Sequence, residues 1–324
     1  MSQLREVGAW RSSLLKLVFP LIVLASSQQL AYAQDLAPRA YVITPVHSNA
    51  VTLTYAFSDG DISINGVIPV TGGTGLLHVT AINYYHSLSF FGRSANVLVS
   101  LPYAVAHYQG TFEDNENKVY RSGLLDSVYR LSVNLKGGPA MSVKEYQSWQ
   151  QKTILGVSFK VVAPTGQYDA TKLINNGSNR WSFQPQFGYS ERWGPWVLDA
   201  FAGVSFFTTN PEYFSHNAFF PGTETQLQTP IASVEGHVSY DVRRRLWISL
   251  DANFWHGGST GRNGVENPAT VQTSSRFGAT ASIPFFGQHQ SLKFSYSDGD
   301  YVRFGGNYQN VAVAWQYSWI GKPD

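Results

Sequence analysis

The chain lacks cysteine altogether, which excludes a disulfide framework, thiolate metal sites and cysteine nucleophiles. It is also poor in charge: Asp, Glu, Lys and Arg supply 14% of its 324 residues, against roughly a quarter in ordinary globular domains. Neither sign dominates, with 23 basic and 21 acidic residues, so the clustered positive excess of a nucleic-acid-binding surface is missing. Long apolar runs are absent as well. Residues 17–25 (LVFPLIVLA) fall well short of the roughly 20 needed for a membrane helix, and no later segment is apolar enough. His residues number 8 without an HExxH pattern or paired spacing, so no metal site is expected. No cofactor is expected either.

What is present begins with a leader. Arg5, Arg11 and Lys16 precede the apolar run, and Ala31-Tyr32-Ala33 supplies small residues for a signal peptidase. Pro20 would break a helix at this point, which argues against a buried N-terminal helix. Residues 1–33 are therefore expected to be a signal peptide and 34–324 a single domain. Cleavage would remove three basic residues and one acid, leaving 20 of each sign. Aromatic residues reach 15%, a composition suited to a protein whose outer face meets lipid, with Tyr and Trp at the interfaces.

The rest of the sequence alternates with period 2, the mark of strands with one apolar and one polar face. In residues 51–58, Val51, Leu53, Tyr55 and Phe57 share one face, and Thr52, Thr54, Ala56 and Ser58 share the other. Tyr129, Leu131, Val133 and Leu135 likewise oppose Arg130, Ser132 and Asn134, and Val234, Val238 and Tyr240 oppose Glu235, His237 and Ser239. Such segments number about twelve, near 49–58, 76–88, 95–108, 124–136, 152–163, 180–192, 196–208, 228–242, 246–256, 272–283, 290–298 and 307–319. Most match the 9–11 or so residues of a tilted strand crossing hydrocarbon.

Connections alternate in length. Trp193-Gly194-Pro195, Arg243-Arg244-Arg245, residues 91–94 and residues 284–289 are tight, whereas 59–75, 109–123, 164–179, 209–227, 257–271 and 299–306 read as long polar loops. Short turns at one end and long loops at the other predict an all-β, antiparallel, up-and-down transmembrane barrel of about 12 strands, its short turns in the periplasm. Residues 137–151 break the rule; Ser142 and Glu145 there form a capping-box pattern that predicts a short helix. Pro102 and Pro185 fall inside strands and call for bulges. A secreted sandwich would also alternate, but its polar face is usually rich in Lys and Glu. Here that face is mostly Ser, Thr, Asn, Gln and Gly, with few mixed charges, which favours a lumen.

By alternation, ten ionisable residues face that lumen: Asp126, Arg130, Lys160, Asp199, Glu235, His237, Asp241, Asp251, Arg276 and Lys293. Opposite charges across strands either pair and fill the bore, or form a constriction that selects solutes. Trp181, Trp193, Trp196, Trp255, Trp315 and Trp319 lie near strand ends as interfacial girdles, with Trp247 or Trp255 as alternative stacking partners for a ligand.

Four stretches carry a family likeness: residues 90–104 (FFGRSANVLVSLPYA), 121–135 (RSGLLDSVYRLSVNL), 152–169 (KTILGVSFKVVAPTGQYD) and 179–190 (NRWSFQPQFGYS). Their VVAPTGQYD and NRW pieces are the most specific. The chain resembles the bacterial family named for the MetA pathway of phenol degradation. The resemblance implies an outer-membrane barrel that moves small hydrophobic or aromatic compounds, and it brings no catalytic motif. The expected function is a channel passing such molecules passively through the lumen in a Gram-negative outer membrane. Expected partners are outer-membrane lipid, a small-molecule solute and the barrel assembly machinery. A structural or adhesive barrel acting through its loops is the alternative. A lipid hydrolase is a lesser one, because His237 and Ser239 share a face that points inward instead of toward lipid. Cleavage of the leader predicts a mature protein beginning at Gln34, which intact-mass measurement on the exported chain will check.

Overall fold

A computed structural model describes residues 37–63, 70–112, 115–303 and 305–322. The leader read from residues 1–33 lies outside these. The strands are β1 (Ser48–Ser63), β2 (Val70–Phe90), β3 (Arg93–Phe112), β4 (Asn115–Leu124), β5 (Ser127–Lys136), β6 (Thr153–Ala163), β7 (Ser182–Trp193), β8 (Trp196–Phe207), β9 (Gln226–Gln228), β10 (Ile231–Arg243), β11 (Leu246–Gly257), β12 (Thr260–Arg262), β13 (Val265–Asn267), β14 (Gln272–Phe285), β15 (Gln290–Val302) and β16 (Gly305–Ile320). One short helix, α1 (Val143–Ser148), follows β5; Ser142 and Glu145 cap it reciprocally, the motif the sequence predicts.

Every long strand pairs antiparallel with its neighbours, and β1 pairs β16 from Ser48↔Ile320 to Ser63↔Gly305. The sheet therefore closes on itself. Because β4 and β5 occupy one position beside β3, the ring is a 12-strand antiparallel barrel. The three-residue strands β9, β12 and β13 form a separate small sheet among the long loops.

Alternation sorts side chains across the wall. Outward positions are apolar and exposed, as at Leu53, Ile82, Leu101, Phe187, Phe254, Phe277 and Val311, with Leu250 reaching 71% exposure. Inward positions are buried and mostly polar: Ser132, Asn134, Ser158, Gln184, Ser190, Asp199, Ser239, Ser249, Asn253 and Arg276. This inverts a soluble core, and among the described residues no second sheet covers the apolar face. Such an outer surface suits hydrocarbon, where only a closed sheet satisfies every backbone group.

Several expectations need correction. Much of 59–75, 109–123 and 299–306 is not loop: β1, β2, β3, β4, β15 and β16 extend into these stretches. Polar residues and glycine prevail there, as in the mostly exposed β4, so no clear period marks them. Pro102 does sit at an irregularity. Ser100 pairs with Val128 and Tyr103 with Leu124, so two residues of β3 face three of the partner, and Leu125 N donates to Pro102 O at 2.9 Å. Pro185 makes no bulge. Register against β8 is the same at Phe183↔Phe206 and Gln186↔Gly203, and the ladder simply skips the two intervening positions. Trp255 is 4% exposed and stands on the inner wall, not in a girdle, whereas Trp181, Trp193 and Trp196 are exposed outside.

The outward band predicts a sharp asymmetry on β11. Leu250→Arg is expected to cost about 2–4 kcal/mol of stability in a bilayer. Urea titration of the liposome-embedded protein, followed by tryptophan fluorescence, will measure it.

Candidate functional site: a lumen entered by the N-terminal segment

The lumen is not empty. Ahead of β1, residues 37–47 enter the barrel from the short-turn end. Arg39 anchors them there. Its backbone N–H donates to Asp199 Oδ2 at 3.0 Å, its Nε to Ser239 Oγ at 2.9 Å and its Nη1 to Asp241 Oδ1 at 2.7 Å. The guanidinium also stacks 4.6 Å from the Trp247 ring centroid. Arg192 Nη1 holds the other Asp241 oxygen at 2.6 Å, so one carboxylate joins the segment to the barrel wall. Burial pushes the Arg39 guanidinium below its ordinary pKa, and the hydrogen bond and charge of Asp241 oppose that push.

Tyr41 is the second anchor, 2% exposed. Its ring lies 5.2 Å from that of Phe201, and its hydroxyl is 3.2 Å from both Ser158 Oγ and Gln186 Oε1. The wall makes room for the ring with glycine. Gly156 of β6 and Gly188 of β7 are direct cross-strand partners, and a Cβ on either would overlap Tyr41. Glycine inside a strand commonly marks such a close approach. Burial raises the Tyr41 phenol above its usual value, so it remains a neutral hydrogen-bond donor. Ile43 then packs with Met141 and Ile154, with Tyr146 and Trp149 of the α1 region beside them. Val46 N donates to Met141 O at 2.8 Å. Segment and helix together cover the short-turn mouth.

The opposite mouth is roofed by the long loops. Asp126 sits in the gap between β4 and β5 and accepts from Gly166 N and Ser178 N, both at 2.9 Å. It pins loop 164–181 and is no free lumen charge. Tyr213, Phe214, Phe220 and Leu173 pack as a cluster, and the Arg262 guanidinium lies 3.4 Å from the Phe220 ring centroid and 2.9 Å from Glu224.

Between plug and roof lies a cavity. Arg130, Lys160 and Glu235 line it with Phe201, Phe207, Trp255, Gln184, Gln186 and Asn253, and Ala37 and Ala40 of the entering segment close one side. Thus three of the ten ionisable residues singled out above meet at the cavity. Asp199 and Asp241 hold the plug instead. His237 and Asp251 form a pair at 2.9 Å, which Thr280 extends by donating to Asp251 at 2.8 Å. Arg276 is fully buried and donates to Ser297 at 3.0 Å. Lys293 is on the inner register of β15 but exposed, across from Ser282 and Ala314. Ser239 accepts from Arg39 and lies 3.4 Å from Val197 O, while His237 faces Asp251 and Glu235. The two do not form a nucleophile–base pair.

Arg39, Tyr41, Phe201 and Phe207 escape the alternation reading, whereas Trp255 takes the inward position that its alternative stacking role requires. The only sequence signal for the plug was the pair of inward glycines, which becomes legible once β6 and β7 are in register.

A family model described as "Putative MetA-pathway of phenol degradation" matches residues 59–311. The chain belongs to this family. The MetA-pathway barrel described here is similar to the solved COG4313 outer membrane channel from Pseudomonas putida F1, with a TM-score of 0.69 and 16% identity over 88% of this chain and 100% of that one. The transport unit of the autotransporter AIDA-I from Escherichia coli is more distant, with a TM-score of 0.48 and 12% identity over 89% of this chain and 94% of that one. No curated protein sequence matches the chain.

The Arg39 clasp gives a direct expectation. Hydrogen bonds to charged groups contribute about 1.5–3 kcal/mol each. Arg39→Ala should raise the fraction of time the segment spends unseated by at least tenfold. A spin label or fluorophore placed at residue 37 will report the gain in mobility.

Proposed function

We propose that this protein is an outer-membrane channel that passes small molecules, aromatic or hydrophobic ones among them, passively through its lumen. The observation that carries the reading is the inverted wall around a cavity whose floor is a tethered chain segment. A structural barrel can fill its bore with paired side chains from the strands themselves. Here a separate segment fills much of it, held by the Arg39 clasp and a glycine socket, and a cavity remains beside it. Such a segment can shift without disturbing a single pair of the barrel ladder. Membership of the MetA-pathway family, together with the likeness to an outer membrane channel, supports a role in moving compounds of the aromatic-degradation kind. The same reading places the short-turn end in the periplasm, the bilayer lipid around the apolar band, and export through a cleavable leader and the barrel assembly machinery.

Purified protein in planar bilayers tests this. Small single-channel steps are expected from the full mature chain, and removal of residues 37–43 should enlarge them severalfold. Absence of both conductance and solute flux, with and without those residues, would refute the channel.

A further inference from the structure

We propose that the β7–β8, β10–β11 and β14–β15 turns together form a binding site for an anionic phospholipid at the short-turn edge of the bilayer. The inference rests on the membrane placement given above and is independent of what the lumen passes.

Three consecutive turns meet at this edge. Tyr240 of β10 is the cross-strand partner of Trp196 on β8, with ring centroids 4.8 Å apart, and Asp241 N donates to Pro195 O at 2.8 Å. On the other side Arg245 reaches to the β14–β15 turn, its Nη2 donating to Gln290 O at 2.8 Å and its Nη1 to Gly287 O at 3.2 Å. These bonds tie the turns into one surface. It continues the outward apolar band through Val242 and Ile248, both about half exposed.

The charge on this surface is unanswered. Arg243 and Arg244 are exposed, and neither side chain makes a hydrogen bond or ion pair among the described residues. The nearest carboxylate in sequence, Asp241, has one oxygen held by Arg39 and the other by Arg192. Two adjacent guanidinium groups match a phosphodiester, which offers them charged acceptor oxygens.

The flanks are aromatic, whereas turns facing water are usually small and polar. Trp193 and Trp196 stand exposed on one side. Phe286 is 77% exposed on the other, its ring edge-on to Phe285 at 4.4 Å. Phe286 also has a φ of 31°, a left-handed conformation that strains a bulky residue and that Gly or Asn adopts more easily. Its ring therefore sits where the backbone disfavours it and water gives it no burial. The headgroup boundary of a bilayer supplies that burial, and anionic headgroups there attract arginine. A soluble anion would answer the arginines and leave the rings bare. A zwitterionic lipid cancels its own phosphate charge with its ammonium. An anionic phospholipid answers both features.

Native mass spectrometry of the full mature protein in detergent will compare phosphatidylglycerol with phosphatidylethanolamine of the same acyl chains. Phosphatidylglycerol is expected to be retained at least tenfold more tightly. An arginine near an anionic surface contributes roughly fivefold in affinity. The double variant Arg243→Gln, Arg244→Gln should therefore bring phosphatidylglycerol down to the level of phosphatidylethanolamine and leave the latter unchanged. Lys118→Gln, at an exposed position near the long-loop end, should alter neither. Phe286→Asn relieves the backbone strain and should weaken both lipids. Equal affinity for the two lipids in the unaltered protein would overturn the proposal, and that comparison requires no variant to fold. A phosphatidylglycerol preference that survives the double variant, or that excess inorganic phosphate abolishes, would overturn it as well. Planar-bilayer conductance is a separate readout: channel activity without lipid preference removes this site and keeps the channel, whereas arginine-dependent lipid retention without conductance does the reverse.

Discussion

Everything in this molecule follows from the demand that backbone N–H and C=O groups be paired where no water can reach them. An open sheet facing hydrocarbon would leave two edges unsatisfied, each group costing several kcal/mol. Continuous pairing of β1 with β16 removes both edges, and the remainder of the design answers to that closure. Once the ring is shut, the outer residues meet an apolar solvent and the inner ones must satisfy one another. That is why Leu250 and Phe254 face outward on β11 while Asp251 and Asn253, their neighbours in sequence, face inward.

The interior then poses its own problem, because polar side chains inside a ring of this size need partners. The barrel solves it in three tiers. At the short-turn end, the entering segment brings its own cation to Asp199 and Asp241. At the long-loop end, backbone amides of the loops come to Asp126. Around the middle, His237, Asp251 and Thr280 satisfy each other within the wall.

How far the residues announced this arrangement depends on what each one faces. Strand positions, turn positions and the polarity of both faces were legible wherever one side meets hydrocarbon and the other does not, because only there does period 2 appear. Beyond the apolar band polar residues and glycine interrupt the alternation, and the extensions of β1 to β4 look like loops. Alternation assigned Asp126 and Arg130 to the same face without distinguishing their fates, since the break between β4 and β5 interrupts the count. The plug was illegible for a different reason. Residues 37–47 carry two prolines and no period, and their partners come from β2, β6, β7, β8 and β10, which are scattered along the sequence. Trp255 shows the same limit: its inward position follows from alternation, but an aromatic there looks like a girdle residue until the wall is seen from within.

The point where the N-terminal segment joins the barrel ties its seating to the closure of the ring. Residues 37–47 run directly into β1, the strand that makes the last junction of the ring, while the socket for Tyr41 is built by β6 and β7 on nearly the opposite arc. While the β1 edge is still free, the segment can ride on the concave side of the curling sheet. After β1 and β16 have zipped together, the same residues would have to thread a bore already lined with inward side chains and narrowed by α1. One stretch of chain thus carries both the closing seam and the stopper, so the seating of residues 37–47 is tied to the closure of the ring.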